Sequence, residues 1–201
     1  MPGSSVSNTM AGFPWFFVTA HGRRLLQDRE YVPHDRQGYL QLLHERVPTP
    51  DATVLAYLSE SLETYARNNL VASTVMLGVA AERVFDLVCT SVLESLADTA
   101  EQKSFSVVLG RNPMKQKLDW LQDKLRRVQQ LKPGVIALPE NVTLTITAIY
   151  DLLRVQRNEF GHPSDARPQP SRAQAYANLL IFPPYYERAE ALRQVLTSNA
   201  I

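Results

Sequence analysis

From Leu70 to Ala97 the chain reads LVASTVMLGVAAERVFDLVCTSVLESLA, and this stretch decides the fold. Wound as a helix, it carries apolar side chains on most of its circumference, among them Val75, Leu77, Val84, Phe85 and Val88. A helix apolar on nearly every side is a central one that its neighbours must cover. Gly78 in its interior costs about 1 kcal/mol relative to alanine, a cost that makes sense where a second helix approaches closely.

The flanking segments supply the covering helices. Asp51 is a start signal, and Val54, Leu55, Leu58, Leu62 and Tyr65 then recur at helical spacing up to Asn68-Asn69. Downstream, beyond Gly110 and Pro113, a helix from Met114 to Leu131 sets Leu118, Trp120, Leu121, Leu125 and Val128 against a basic side of Lys115, Lys117, Lys124, Arg126 and Arg127. Such a side reads as a solvated face. Lys132-Pro133-Gly134 interrupts the chain. In Val142–Thr147 a strand-like alternation competes with a helical stripe through Val142, Ile146, Ile149, Leu152 and Leu153, and the absence of a turn signal before Arg157 decides for helix. Asp165–Pro170 is a Pro-rich linker, and Ser171 caps a last helical region to about Ser198, in which Pro183-Pro184 predicts a kink or a split. The expected fold is all-α, an up-and-down bundle of four to five helices over residues 51–201.

Residues 1–12 read as a flexible tail and residues 13–50 as an N-terminal extension. Phe13–Val18 favours a strand and Thr19 caps a short helix after it. This pair resembles the end of a winged-helix domain, without the recognition helices that would come before it. Residues 31–50 hold Pro33, Gly38, Pro48 and Pro50 and predict mostly irregular chain with a helical turn at Tyr39–Glu45.

Over the whole chain, 45% hydrophobic residues argue against disorder, and 21 Lys+Arg against 20 Asp+Glu give a net charge of +1, too small for a strong pull on nucleic acid unless the basic residues cluster. One cysteine, Cys89, excludes an internal disulfide framework, and no Cys/His spacing suits zinc. No stretch reaches the roughly 18 apolar residues of a membrane span, and the first ten residues lack a signal-peptide pattern. The expectation is a cytoplasmic protein with no cofactor, no metal and no membrane contact.

The stretch richest in chemistry is Arg154-Val-Gln-Arg157-Asn158-Glu-Phe-Gly161-His162-Pro163, at the end of a bundle helix. Gly161 suits a helix C-terminus, and Pro163 biases His162 toward an extended conformation just beyond it. An imidazole there has an ordinary pKa near 6.5, suited to proton transfer. Here the chain resembles the HEPN superfamily of helical-bundle proteins, whose signature is an arginine, commonly followed by a polar residue, and a histidine after four to six intervening residues. Arg157, Asn158 and His162 match it. The small-residue helix around Leu77-Gly-Val-Ala-Ala-Glu82-Arg83 and the closing Leu179–Tyr186 resemble the family as well, so the likeness spans roughly Asp51 to the C-terminus.

The resemblance implies a metal-independent endoribonuclease in toxin–antitoxin or antiphage defence. Two copies of the motif meet across a homodimer, a histidine moves protons and an arginine stabilises charge on the RNA phosphate. Arg157, His162 and Asn158 are the catalytic candidates, with Glu82 and Arg154 in support. It also implies an alternative: a non-catalytic module that binds a nucleotide or scaffolds an antitoxin or nucleotidyltransferase partner.

Each residue has a structural reading too. Arg157 can pair with Glu159 or Glu82, His162 can cap the helix dipole, Asn158 can end the helix, and Glu82 can serve a structural ion pair. Arg154 suits a solvated charge, and Tyr185-Tyr186 suit core or interface. Arg29 and His34 repeat the arginine–histidine spacing, but Pro33 precedes His34 and no helix leads into it.

Overall fold

In the computed structural model, residues 30–111, 114–131, 142–161, 170–199 and 201 are described. The strand–helix expected at residues 13–28, Arg29, His162 and the 165–170 linker short of Pro170 lie outside them. From Tyr31 onward the chain forms one compact unit. Its described residues hold seven helices: Arg36–Arg46 (α1), Ala52–Ala66 (α2), Leu70–Ser95 (α3), Thr99–Arg111 (α4), Met114–Leu131 (α5), Val142–Gly161 (α6) and Arg172–Ser198 (α7). The all-α class is therefore right, while four or five helices was too few.

The two additions are α1 and α4. A helical turn was expected for part of α1, and no helix for α4. In α1 the pattern is masked because Tyr39, Leu42 and Leu43 are buried among polar neighbours, while the Asp35 side chain caps the helix by accepting from the Gly38 amide at 2.9 Å. In α4 only Phe105 is fully buried, stacked on Trp120 of α5 with ring centroids 3.7 Å apart.

Helix α3 is the centre, packed by α2, α6 and α7. Its Ala81, Val84, Phe85, Val88 and Val92 are almost wholly buried. The α2 helix begins where the Asp51 carboxylate accepts from the Thr53 and Val54 amides at 3.0 and 3.1 Å. It buries Val54, Leu58, Leu62 and Tyr65, one stripe at helical spacing. It stops at Asn68, whose φ of 63° is left-handed. In α6, Ile146, Tyr150 and Leu153 point into the core, so the helical period wins over the alternation in Val142–Thr147. Gly78 explains the tightness of the α3–α6 contact: a Cβ added there would overlap the Cβ of Arg157 and stand 2.6 Å from its Cγ.

Of the kink or split expected at Pro183-Pro184, the split does not occur in α7. The helix runs unbroken from its Ser171–Gln174 capping box to Ser198. Pro183 has no N–H to offer the Leu179 carbonyl one turn earlier. The buried Tyr39 hydroxyl of α1 donates to that carbonyl instead, at 2.6 Å. Tyr185 and Tyr186 take the core reading: the Tyr185 hydroxyl donates to the Ala81 carbonyl at 3.0 Å, and the Tyr186 oxygen accepts from the Asp51 amide at 2.7 Å. Tyr39→Phe leaves a buried carbonyl without a donor and is expected to cost roughly 1–3 kcal/mol, read from urea midpoints.

Candidate functional site

The facing sides of α3 and α6 carry polar residues at matching intervals: Glu82, Asp86 and Cys89 on one, Tyr150, Arg154 and Arg157 on the other. Intervals of four and three keep each set on one helix face. Within the tight contact at Gly78, the Arg157 Nη2 lies 3.4 Å from Glu82 Oε2, and Arg157 Nη1 donates to Asn158 Oδ1 at 3.0 Å. The Arg157 side chain keeps 32% of its exposure and Glu82 keeps 22%, so this pair is shielded but open to solvent on one side.

Arg154 does not join Glu82 directly. Its Nε and Nη2 both donate to Asp151 Oδ1, at 3.0 and 2.6 Å. Asn158 makes a local bond, accepting from the arginine next to it, and Arg157 pairs with Glu82. His162 follows immediately on α6, which runs through Gly161. His34 stands apart from these contacts, tilted over the Tyr65 ring at 5.1 Å with its Nδ1 3.4 Å from Arg172 Nη2.

Burial pushes the Glu82 carboxyl above the usual carboxylate range; Arg157 pulls it back, as Arg154 and Lys117 do, while Asp86 adds to the rise. Asp86 is exposed on its outer side, yet desolvation by its neighbours still raises it against the pull of Lys117 and Arg83. Tyr150 is fully buried, stacked on Phe85 with centroids 4.4 Å apart, and its hydroxyl has no hydrogen-bond partner; burial first, then Glu82, holds it far above the usual phenol range. Cys89 is pushed up to about 12 by burial, which leaves an inert thiol. Among the described residues no three His, Cys, Asp or Glu side chains are grouped to hold a metal ion, and no helix is long and apolar enough to cross a membrane.

No protein-family model, curated protein or solved structure matches this chain. The site therefore stands on its own geometry: a guanidinium fixed at two points, half-open to solvent, in the last turns of a helix, with a polar neighbourhood tuned by burial. Such an arrangement can hold an anion at a set position, beside a carboxyl whose hold on a proton is strengthened by burial.

Sequence reading missed Asp86, Lys117 and Tyr150. For Asp86 and Tyr150 the signal was there in the equal four-then-three spacing on α3 and α6, but nothing in the sequence says that these two faces meet.

Because the folded Glu82 binds its proton more tightly than the unfolded one, its contribution to stability is present at low pH and lost as pH rises through its raised pKa. Glu82→Gln cannot titrate. The stability advantage of the native chain over Glu82→Gln is thus expected to shrink as pH rises from the ordinary glutamate range toward neutrality, measured as urea midpoints of both proteins across pH.

Proposed function

We propose that this chain is a HEPN-like, metal-independent endoribonuclease that works as a homodimer, with Arg157, Asn158 and His162 at the site and Glu82 and Arg154 behind them. The observation that carries the reading is the Arg157 guanidinium, held by Glu82 and Asn158 at the end of α6 and still one-third exposed, five positions before His162. In the reaction a 2′-hydroxyl attacks the adjacent phosphorus and the 5′-oxygen leaves. The histidines of the two copies take and return the proton, and the arginines face the charge that gathers on the phosphate oxygens. The products carry a 2′,3′-cyclic phosphate and a 5′-hydroxyl.

The dimer has support of its own. Leu152 and Val155 are large apolar side chains left 44% and 47% exposed on α6, the helix that bears the motif. A two-fold contact through that face would bring two motif-bearing helix ends close together. Val155→Glu is expected to turn a dimer into a monomer by light scattering at micromolar concentration and to take cleavage with it; a native chain that is monomeric there counts against the reading.

The decisive assay is cleavage of single-stranded RNA with EDTA in excess. Cyclic-phosphate ends formed at an undiminished rate support the proposal, and loss of cleavage on chelation overturns the mechanism. The second reading, a non-catalytic module binding a nucleotide or scaffolding an antitoxin or nucleotidyltransferase, is favoured by one fact. Both motif-helix arginines already hold a carboxylate, Arg157 with Glu82 and Arg154 with Asp151. A stable dimer with no cleavage selects it. Either reading suits a cytoplasmic defence protein.

A further inference from the structure

Helix α5 carries five basic residues against two acidic ones in a chain whose net charge is only +1, so the positive charge is gathered there. At 100° per residue Lys117, Trp120, Lys124 and Arg127 fall within an arc of about 80° and extend along about 15 Å of helix. This arc flanks the buried row of Leu118, Leu121 and Leu125. Its two ends differ in surroundings. At the N-terminal end Lys117 favours the charged forms of Glu82 and Asp86, and α5 is in contact with α6, the helix that bears Arg157.

At the other end lies a cleft of about 260 Å³ between α4 and α5, lined by Glu101, Ser104, Trp120, Asp123, Lys124 and Arg127. Trp120 is stacked on Phe105, is half-buried, and lines the cleft. Its two carboxylates are engaged: Glu101 accepts from Lys124 at 2.5 Å, and Asp123 pairs with Arg126 at 3.0 Å. Arg127 is exposed and has no carboxylate partner among the described residues.

We propose that this stripe is the path of the RNA strand, with a nucleobase on Trp120 in the α4–α5 cleft, a backbone phosphate on Arg127, and the chain continuing past Lys117 to the Arg157 site. An indole wall beside a free guanidinium is the chemistry that holds a single-stranded nucleotide without reading its sequence. A duplex keeps its bases stacked and cannot offer one to the cleft. The choice of RNA rests on the ribonuclease reading; the location rests on the cleft and the stripe.

The test uses the full chain with His162→Ala to prevent turnover and Trp15→Phe to leave Trp120 as the single tryptophan, excited selectively over the tyrosines. An unstructured RNA of about 12 nucleotides is expected to quench Trp120. Arg127→Glu should weaken binding about tenfold or more, whereas Lys115→Glu, the same charge change on the opposite side of α5, should weaken it less than about twofold. Both sites are exposed, so both variants are expected to fold. Absent quenching, equal loss in the two variants, or tight binding of the matching duplex overturns the strand path. Adenosine monophosphate binding as tightly as the strand overturns it too, in favour of a free-nucleotide pocket. The two proposals fail separately: a native chain that binds RNA at Trp120 without cutting it loses only the ribonuclease reading, and one that cuts RNA with Trp120 and Arg127 indifferent loses only this path.

Discussion

His162→Ala is expected to lower RNA cleavage about a hundredfold or more, the usual cost of removing one acid–base group, while its stability stays within about 0.5 kcal/mol of the native chain. The reason lies in the sequence: Gly161 before it and Pro163 after it suit a position just beyond a helix end. Arg157→Ala should also abolish cleavage, but with a stability change. Its loss leaves the desolvated Glu82 carboxylate without its nearest cation. A fully buried pair would cost several kcal/mol to break; with Arg157 a third exposed, solvent screening brings this to roughly 1 kcal/mol. Arg29→Ala and His34→Ala are expected to leave cleavage unchanged, His34 being engaged with Tyr65 and Arg172. Melting curves run beside the cleavage assay separate lost chemistry from lost structure. Full activity in His162→Ala would eliminate the ribonuclease reading.

The second large effect is expected from a single methyl group. Gly78→Ala improves helix propensity by about 1 kcal/mol, which on a free surface would stabilise the chain. Here the new Cβ meets the Cβ of Arg157, a backbone-attached atom that no rotamer change can move away. The α3 and α6 helices must part, and overpacking of this kind costs about 1–3 kcal/mol. Set against the propensity gain, the strain leaves a net loss of up to roughly 2 kcal/mol and a fall in thermal midpoint of up to a few degrees. The same shift moves Arg157 off Glu82, so cleavage should fall further than the melt accounts for. A Gly78→Ala protein that is more stable than the native chain would show that the two helices do not approach as described.

The α3 and α6 helices were legible in the sequence because their apolar residues are frequent enough to fix a helical period, and Gly78 was recognisable as a contact point because a glycine inside such a helix has a cost. The identity of its neighbour was not, since helix packing sets contacts between residues 79 positions apart that no local pattern encodes. For the same reason Arg157 could be given Glu82 or Glu159 as partner but not one of them alone. Helices α1 and α4 were hidden by the opposite circumstance. Each contributes few buried residues, Tyr39, Leu42 and Leu43 in one and Phe105 in the other, so burial organises them without leaving a strong period. The continuous α7 was hidden because Pro183 is a breaker by every local rule, and the hydroxyl that completes its turn lies about 140 residues away.

That remote hydroxyl makes the last helix dependent on the first. Alone, α7 has no donor for the carbonyl before Pro183, and its two halves are free to fray apart at that turn. Once α1 docks, the halves become one cooperative unit, so the amides on either side of Pro183 share the opening free energy of the N-terminal helix and exchange with solvent at its pace. A chain shortened to begin at Asp51 would keep every residue of α7 and lose the helix's continuity.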